Sequence, residues 1–80
     1  MSEPVEMVGH FRAGRVYPCR FRYGGRVHRI TSVSSCWESR KGAYLSYHFV
    51  VRTTADDVFE VRFDGREMRW VLDYEYGDQD

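Results

Sequence analysis

The sequence lacks the long apolar run that a membrane-spanning helix requires. Charged residues make up 30% of its 80 positions, and no apolar stretch approaches the roughly 18 residues of a transmembrane segment. It also lacks the basic start and apolar core of a signal peptide, because Met1-Ser2-Glu3-Pro4 carries an acid where a positive charge belongs. These absences predict no membrane association and, by default, a cytoplasmic location.

Cysteines are few, and metal-binding spacings are missing. We expect Cys19 and Cys36 to stay reduced rather than form a disulfide, as is usual in a cytosolic protein. Neither a C-x-x-C nor an H-x₃-H pattern occurs, so the spacing predicts no zinc site. His28 and His48 fall on or beside alternating apolar segments, where we expect hydrogen-bonded structural histidines.

Motifs that carry catalysis are missing as well. The sequence has no glycine-flanked nucleophile and no phosphate-cradling loop. A short chain with 13 aromatic residues (5 Phe, 6 Tyr and 2 Trp) also leaves little room for the concave pocket of an enzyme. We therefore expect no enzyme, no catalytic residues and no cofactor.

What the chain does contain is a series of short alternating segments separated by turn residues. Asp64-Gly65 is typical of a two-residue hairpin loop, since a type I′ turn needs positive φ at both central positions. Gly24-Gly25 closes another hairpin, and Arg12-Ala13-Gly14-Arg15 turns the chain before it. The Asp64-Gly65 register predicts these opposed pairs: Arg62 with Glu67, Glu60 with Arg69, Val61 with Met68, and Phe59 with Trp70.

The predicted strands cover residues 5–11, 16–23, 26–33 and 44–53, followed by the two arms of the Asp64-Gly65 hairpin. A bulge is expected near Thr31-Ser32. Residues 34–43 contain the only candidate helix, at most one turn, because Ser35-Cys36-Trp37-Glu38 has the form of a capping box. A turn at Ala55-Asp56-Asp57 would place Arg52 opposite Glu60.

We predict an all-β fold, a single antiparallel meander of about six strands rolled into a small, SH3-like barrel. One domain spans residues 1–80, with an ordered core over about 5–74 and a frayed acidic tail at 75–80, although Tyr74-Glu75-Tyr76 could extend the last strand. The predicted core consists of Phe21, Ile30, Leu45, Tyr47, Phe49, Val51, Phe59, Val61, Met68, Trp70 and Leu72.

The net charge is zero, but the charges are divided along the chain. Residues 1–55 contain nine of the 12 basic residues and three of the 12 acids, and residues 56–80 contain the reverse. In the Gly24-Gly25 register, Arg20 lies directly opposite Arg29. Like charges in directly opposed positions destabilise a sheet, so an anionic group is expected to relieve them. Arg22 lies one pleat away and Arg26 lies at the hairpin tip.

Three anionic groups could relieve these arginines: the acidic tail of residues 73–80, an acidic protein partner, or single-stranded nucleic acid. The candidate anion contacts are Arg20, Arg22, Arg26, Arg29 and Trp37, which could be widened by Arg12, Arg15, Arg40 and Lys41. Trp37 could stack on a base, or it could cover one end of the barrel. We expect a non-catalytic module that binds a protein partner or self-associates, with nucleic-acid binding as the alternative.

The order of landmarks resembles that of a family of small, uncharacterised bacterial β domains. The landmarks are Pro18, Phe21-Arg22-Tyr23-Gly24-Gly25-Arg26-Val27-His28, residues 33–37, Phe49-Val50-Val51, Val58-Phe59-Glu60-Val61 and Trp70-Val71-Leu72. His28 stands where that family has an aromatic residue, and the last turn is shorter. The resemblance implies the fold rather than a site and carries over no functional residues. Some members are encoded near DNA-damage polymerases, which adds slightly to the nucleic-acid alternative.

Overall fold

The computed structural model describes residues 2–77, and within them every regular element is a β-strand. The strands are β1 (Glu3–Pro4), β2 (Glu6–Arg12), β3 (Arg15–Tyr23), β4 (Arg26–Lys41), β5 (Tyr44–Thr53), β6 (Val58–Asp64) and β7 (Arg69–Tyr76). The predicted all-β class is confirmed. The described residues form seven strands rather than about six, because no alternation or turn pattern indicated the two-residue β1. They include no helix that could cross a membrane.

The strands form one antiparallel sheet in the order β1-β7-β6-β5-β4-β3-β2. The two ends of that order, β1 and β2, are consecutive in the chain and are separated only by Val5. The sheet therefore curls until its ends approach each other, and the Val5 amide donates to the carbonyl of Trp70 on β7 over 3.1 Å. The result is a curled half-barrel, which agrees with the predicted small barrel.

Two predicted hairpins have the expected loops. Ala13-Gly14 connects β2 to β3, and Gly24-Gly25 connects β3 to β4, with positive φ at all four residues. This is the backbone that a two-residue type I′ loop requires. In the second hairpin Phe21 lies opposite His28, as predicted.

β4 corrects the prediction of a helical turn within residues 34–43. The strand continues through this segment and pairs with β5 as far as a two-residue loop, Gly42-Ala43. The capping-box sequence Ser35-Cys36-Trp37-Glu38 starts no helix, because no apolar helical run follows it and β5 supplies backbone partners instead. The predicted bulge is present, since the pairing shifts between Ile30 and Ser32. A second shift, between Val33 and Ser35, was not predicted.

The predicted register of the β6–β7 hairpin is wrong. Residues 65–68 form a four-residue loop, so Asp64 pairs with Arg69 and Phe63 pairs with Trp70. The Asp64 carboxylate accepts hydrogen bonds from the amides of Arg66 (2.9 Å) and Glu67 (3.2 Å), which fixes Asp64 at the start of the loop. Those backbone hydrogen bonds, with the Glu67 amide first, also lower the pKa of Asp64.

The predicted pairing of Arg52 with Glu60 is also wrong. Arg52 lies opposite Val58 on β6, and Glu60 lies opposite Val50. The guanidinium of Arg52 instead contacts Asp56 in the loop at 2.9 Å. Asp56 adopts a positive φ of 67°, which a short polar side chain tolerates better than most.

Most of the predicted core lies inside the curl. Phe59, Val51 and Val61 are fully buried, and Phe21 is 1% exposed. Met68 is the exception, because the four-residue loop leaves it 69% exposed. The buried cluster is Val16, Phe21, Phe49, Val51, Phe59, Val61 and Leu72, with Ile30, Tyr47 and Trp70 among the half-buried residues packed against it. Leu45 is also half-buried.

His28 is a buried structural histidine, as predicted. Its ring stacks on Phe21 at 5.1 Å between centroids and meets the edge of Phe59 at 5.0 Å. Its Nε2 lies 3.1 Å from the carbonyl oxygen of Tyr23, a hydrogen bond that satisfies the buried ring.

Candidate functional site

The arginine face is the outward side of β2, β3 and the first part of β4. Phe21 and His28 point into the core, and successive residues of a strand alternate between faces. Their neighbours Arg20 and Arg29 therefore point outwards, and these two arginines pair directly across the hairpin. The predicted opposition of like charges is present in the structure.

Little within residues 2–77 neutralises the arginine face. Arg22 contacts Glu6 at 3.6 Å, but both side chains are largely exposed, so this pair contributes little. Arg20, Arg26 and Arg29 are exposed and make no ion pair with any residue of that range. The arginine face therefore presents net positive charge.

A shallow depression lies on this face. It has a volume of about 240 Å³ and includes Val8 and Val27, which are 49% and 50% exposed. Apolar surface therefore lies among the guanidinium groups, a combination that suits a ligand with both a charged and an apolar part. The lining residues are Glu6, Met7, Val8, Arg20, Phe21, Arg22 and Val27.

Trp37 is not part of the arginine face. It lies eight positions beyond Arg29 on β4, up to about 26 Å along an extended strand. Its ring is 43% exposed and stacks on His48 of β5, with 5.1 Å between centroids and an interplanar angle of 3°. The structure therefore brings Arg20, Arg22 and Arg29 to one face and separates Trp37 from them. Arg26 lies at the hairpin tip opposite Tyr23, on the other face of the hairpin.

The described acids of the predicted tail have partners away from the arginine face. Asp73 accepts hydrogen bonds from Arg62 at 2.8 and 3.0 Å, and Glu75 accepts one from the hydroxyl of Tyr23 at 3.2 Å. The charge of Glu75 raises the pKa of Tyr23. Asp78 and Asp80 lie outside the described residues. Neutralisation of Arg20 and Arg29 by the tail has no support from the contacts of Asp73 and Glu75.

A polar cluster lies on the outward side of β5, β6 and β7. We call it the His48 cluster; it consists of His48, Glu60, Arg62 and Asp73. One candidate ligand atom from each of His48, Glu60 and Asp73 lies within 4.8 Å of the others. Arg62 bridges Asp73 and Asp64, with its Nη1 3.4 Å from the Asp64 carboxylate.

Burial and hydrogen bonding set the protonation states in this cluster. Burial lowers the pKa of His48, which favours the neutral imidazole. Burial alone would raise the pKa of Asp73, but hydrogen bonds from Arg62 and Ser2 and the charge of Arg62 outweigh it and lower that pKa. Near neutral pH the cluster therefore contains a neutral imidazole and an ionised Asp73.

Sequence spacing could not reveal the His48 cluster. Its members come from three adjacent strands, and only the register brings them together. Asp73 follows the buried Leu72 and lies where the β6–β7 pairing shifts, between the positions opposite Glu60 and Val61. Alternation does place His48 and Glu60 on the outward side, beside the buried Phe49 and Phe59.

The second part of β4 has an unpaired edge. β3 pairs with β4 only at residues 20–23 and 26–29, and beyond that point the two strands diverge. Every residue from 31 to 41 is exposed and, within the described chain, pairs with a neighbouring strand only on the β5 side. We call the backbone of residues 36–41 on the side away from β5 the β4 edge.

A cleft of about 370 Å³ opens where β3 and β4 diverge. It reaches the core at Val16 and Phe49, and Trp37 and Glu38 border it on the β4 side. Cys36 also lines it and is a free, exposed thiol; Cys19 on β3 is free and lies 3.2 Å from the ring of His10. The cleft leaves the β4 edge accessible to an approaching strand.

Comparison with known proteins finds no family model, no curated protein and no solved structure that matches this chain.

Proposed function

We propose that this protein is a non-catalytic module that self-associates by pairing the β4 edge with the same edge of a second copy. The observation that carries the proposal is the exposed stretch of residues 36–41, which lies beyond both bulges and pairs only with β5 within the described chain. An unpaired strand edge offers a row of free N–H and C=O groups to another strand.

The hairpin loop determines which residues direct backbone groups to the β4 edge. Lys41 and Tyr44 flank the two-residue loop and therefore form a hydrogen-bonded pair. Hydrogen-bonded and non-hydrogen-bonded pairs alternate along an antiparallel ladder. Arg40, Glu38 and Cys36 consequently direct their N–H and C=O groups away from β5.

Charge selects one register for the pairing of two copies. If the two-fold axis passes beside Ser39, Glu38 lies directly opposite Arg40 of the partner subunit, and the symmetry repeats this ion pair. An axis at Glu38 or at Arg40 would place like charges directly opposite each other, which is unfavourable. In the favoured register both opposed residues direct their backbone groups to the β4 edge, so the hydrogen-bond pattern and the charges agree.

On the opposite face of the two paired strands, the same register would form a second complementary contact. Trp37 would lie opposite Lys41 of the partner subunit. The exposed indole could then receive the ammonium group over its face, as in a cation–π contact. Four favourable side-chain contacts would therefore flank the two-fold axis.

The interface would be small. Six residues of strand edge bury less than the roughly 1,200 Å² that bounds standard interfaces, so the dimer should be weak and concentration-dependent. Sedimentation velocity over a concentration series, up to about 1 mM, detects association free energies of about −4 kcal/mol.

Exchange of the two charges tests the register. Glu38→Arg should abolish association because Arg would face Arg40 of the partner subunit. Arg40→Glu should abolish it because two carboxylates would face each other. The double variant Glu38→Arg/Arg40→Glu restores both ion pairs and should restore the dimer.

Glu3→Arg is a matched control, because it changes the same charge on an exposed residue of β1, which lies four strands from β4 in the sheet. It should sediment like the wild type. A wild-type protein that remains monomeric throughout the concentration series would refute the proposal. A double variant as monomeric as each single variant would refute this register.

Nucleic-acid binding by the arginine face is the second candidate. It is favoured by the direct opposition of Arg20 and Arg29 without an ion pair to residues 2–77. The protein should then bind single-stranded oligonucleotides at low salt. Log K should fall by roughly 0.7 per neutralised phosphate for each log unit of salt. Arg20→Glu and Arg29→Glu should abolish binding, and Arg66→Glu should not. No retention at low salt would exclude this candidate.

A further inference from the structure

Three potential metal ligands meet on the outward side of the sheet. His48, Glu60 and Asp73 are half-buried, and each offers one ligand atom within 4.8 Å of the other two. Ligand distances to a transition metal are about 2.0–2.2 Å, so two ligands of one ion lie up to about 4.4 Å apart. Small side-chain rotations would bring the three atoms to one ion.

One atom of this group has no partner. The Nδ1 atom of His48 is buried and makes no hydrogen bond within the described residues. The other ring nitrogen, Nε2, lies 2.7 Å from the hydroxyl of Ser39. A buried polar atom without a hydrogen-bond partner is rare in folded proteins, and binding of a metal ion is one explanation for it.

Each candidate ligand also forms a hydrogen bond with a neighbouring side chain that is not itself a candidate ligand. Ser39 holds the His48 ring, Arg62 and Ser2 donate to Asp73, and Tyr76 donates to Glu60 at 3.3 Å. Metal-binding sites show this arrangement: the second nitrogen of a ligating histidine is hydrogen-bonded, and so are the ligating carboxylates. Such partners fix the orientation of the ligand atoms.

The guanidinium of Arg62 is the feature that opposes a cation. Its charge is outweighed locally, because it contacts Asp64 and Asp73, and Glu60 offers a third carboxylate within 4.8 Å of Asp73. Each carboxylate oxygen also has more than one lone pair, so Asp73 can accept from Arg62 and bind an ion at once. A divalent ion would balance the charge that remains.

We propose that His48, Glu60 and Asp73 bind a divalent transition-metal ion, with Zn²⁺ as the best match. One imidazole nitrogen and two carboxylate oxygens suit zinc, whereas Mg²⁺ prefers oxygen ligands and keeps its water. A fourth coordination position would be open to solvent. The neutral imidazole that burial favours is the form that binds a metal.

Titration of the full-length protein with Zn²⁺ tests this site. Isothermal titration calorimetry should show one ion per chain, and Mg²⁺ should show no comparable binding. Because Trp37 stacks on His48, its fluorescence should change on binding. His48→Gln and Glu60→Gln should each weaken Zn²⁺ binding at least about tenfold, a loss that even outer-shell changes reach.

Two control variants separate this site from adventitious binding. His10 and Cys19 are close together elsewhere, so His10→Gln and Cys19→Ser would remove binding at that pair alone. Both should retain the Zn²⁺ affinity of the wild type. Circular dichroism establishes that each variant is folded. The proposal is overturned if the wild type binds no Zn²⁺, if His48→Gln binds it equally well, or if only the His10 and Cys19 variants lose binding.

Discussion

Phe59 illustrates how much a single side chain contributes to a core of this size. It is fully buried and meets the rings of Phe21, Tyr23 and His28 at 5.0–6.0 Å between centroids. Alternation along Val58-Phe59-Glu60-Val61 was enough to predict its burial. The identity of its neighbours depends on the curl of the sheet, which no local pattern contains.

We expect Phe59→Ala to lower the free energy of unfolding by about 3–5 kcal/mol, because it removes a buried ring and leaves a cavity. Urea denaturation followed by circular dichroism measures the loss. Phe11→Ala is the control, since Phe11 is 74% exposed and its loss should cost less than about 0.5 kcal/mol. Equal effects of the two changes would contradict the placement of the core.

The Arg62–Asp73 ion pair predicts a dependence of stability on pH. The pKa of Asp73 is lower in the folded protein than in the unfolded chain. The ionised carboxylate therefore stabilises the fold fully above the pKa of the unfolded state. This stabilisation is lost as the pH falls through the pKa of the folded state. Asp73→Asn should lower the free energy of unfolding by about 1–3 kcal/mol at neutral pH. On acidification the variant should lose less stability than the wild type.

Urea denaturation between neutral and acidic pH measures both effects. Asp56→Asn is the control, because Asp56 pairs with Arg52 while 83% of its side chain is exposed. This change should have little effect at any pH. If Asp73→Asn leaves the pH profile unchanged, the ion pair does not contribute in the way described.

At the scale of elements, the loop of the Gly24-Gly25 hairpin could be predicted from the sequence, and the loop and register of the β6–β7 hairpin could not. Gly24-Gly25 has positive φ at both positions, as the type I′ pattern requires. Asp64-Gly65 gives the same signal, but Asp64 accepts two loop amides and Met68 takes the positive φ of 57° instead. Side-chain capping of the loop outweighed the short-range turn signal.

The predicted strand 26–33 ended before the end of β4, which continues to Lys41, for a related reason. The second part of β4 carries serines and charges with no buried residue, so neither strand nor helix periodicity was visible. The pairing with β5 makes it a strand, and no periodicity within residues 34–43 indicates that pairing. Both the β4 edge and the His48 cluster depend on such pairings, which explains why neither was predicted as a site.

Two substitutions in the 65–68 loop should change the stability of the protein in opposite directions. Gly65→Ala should destabilise the protein by about 1–3 kcal/mol, because a Cβ there would overlap the carbonyl oxygen of Leu45. Met68→Gly should stabilise it by up to about 1 kcal/mol, because it relieves a positive φ at an exposed residue. Thermal and urea denaturation measure both changes. Effects of the same sign would contradict the loop conformation.

At the scale of the whole molecule, one short segment determines how the sheet closes. β1 pairs with β7 while β2 pairs with β3, so residues 3–12 join the two ends of the strand order. Composition and alternation predicted a small barrel but not this closure. The barrel remains open between β3 and β4, and the proposed self-association uses that opening.

A single cysteine at the proposed two-fold axis tests that self-association most directly. In the register centred on Ser39, the two copies of this residue form a non-hydrogen-bonded pair with Cα atoms about 4.5 Å apart, within disulfide range. Ser39→Cys, in a background with Cys19→Ser and Cys36→Ser, should form a covalent dimer on mild oxidation, and Arg40→Glu should suppress it. Ser35→Cys, on the same strand but away from the axis, should form far less. A Ser39→Cys protein that stays monomeric, or forms no more dimer than Ser35→Cys, would contradict pairing at the β4 edge.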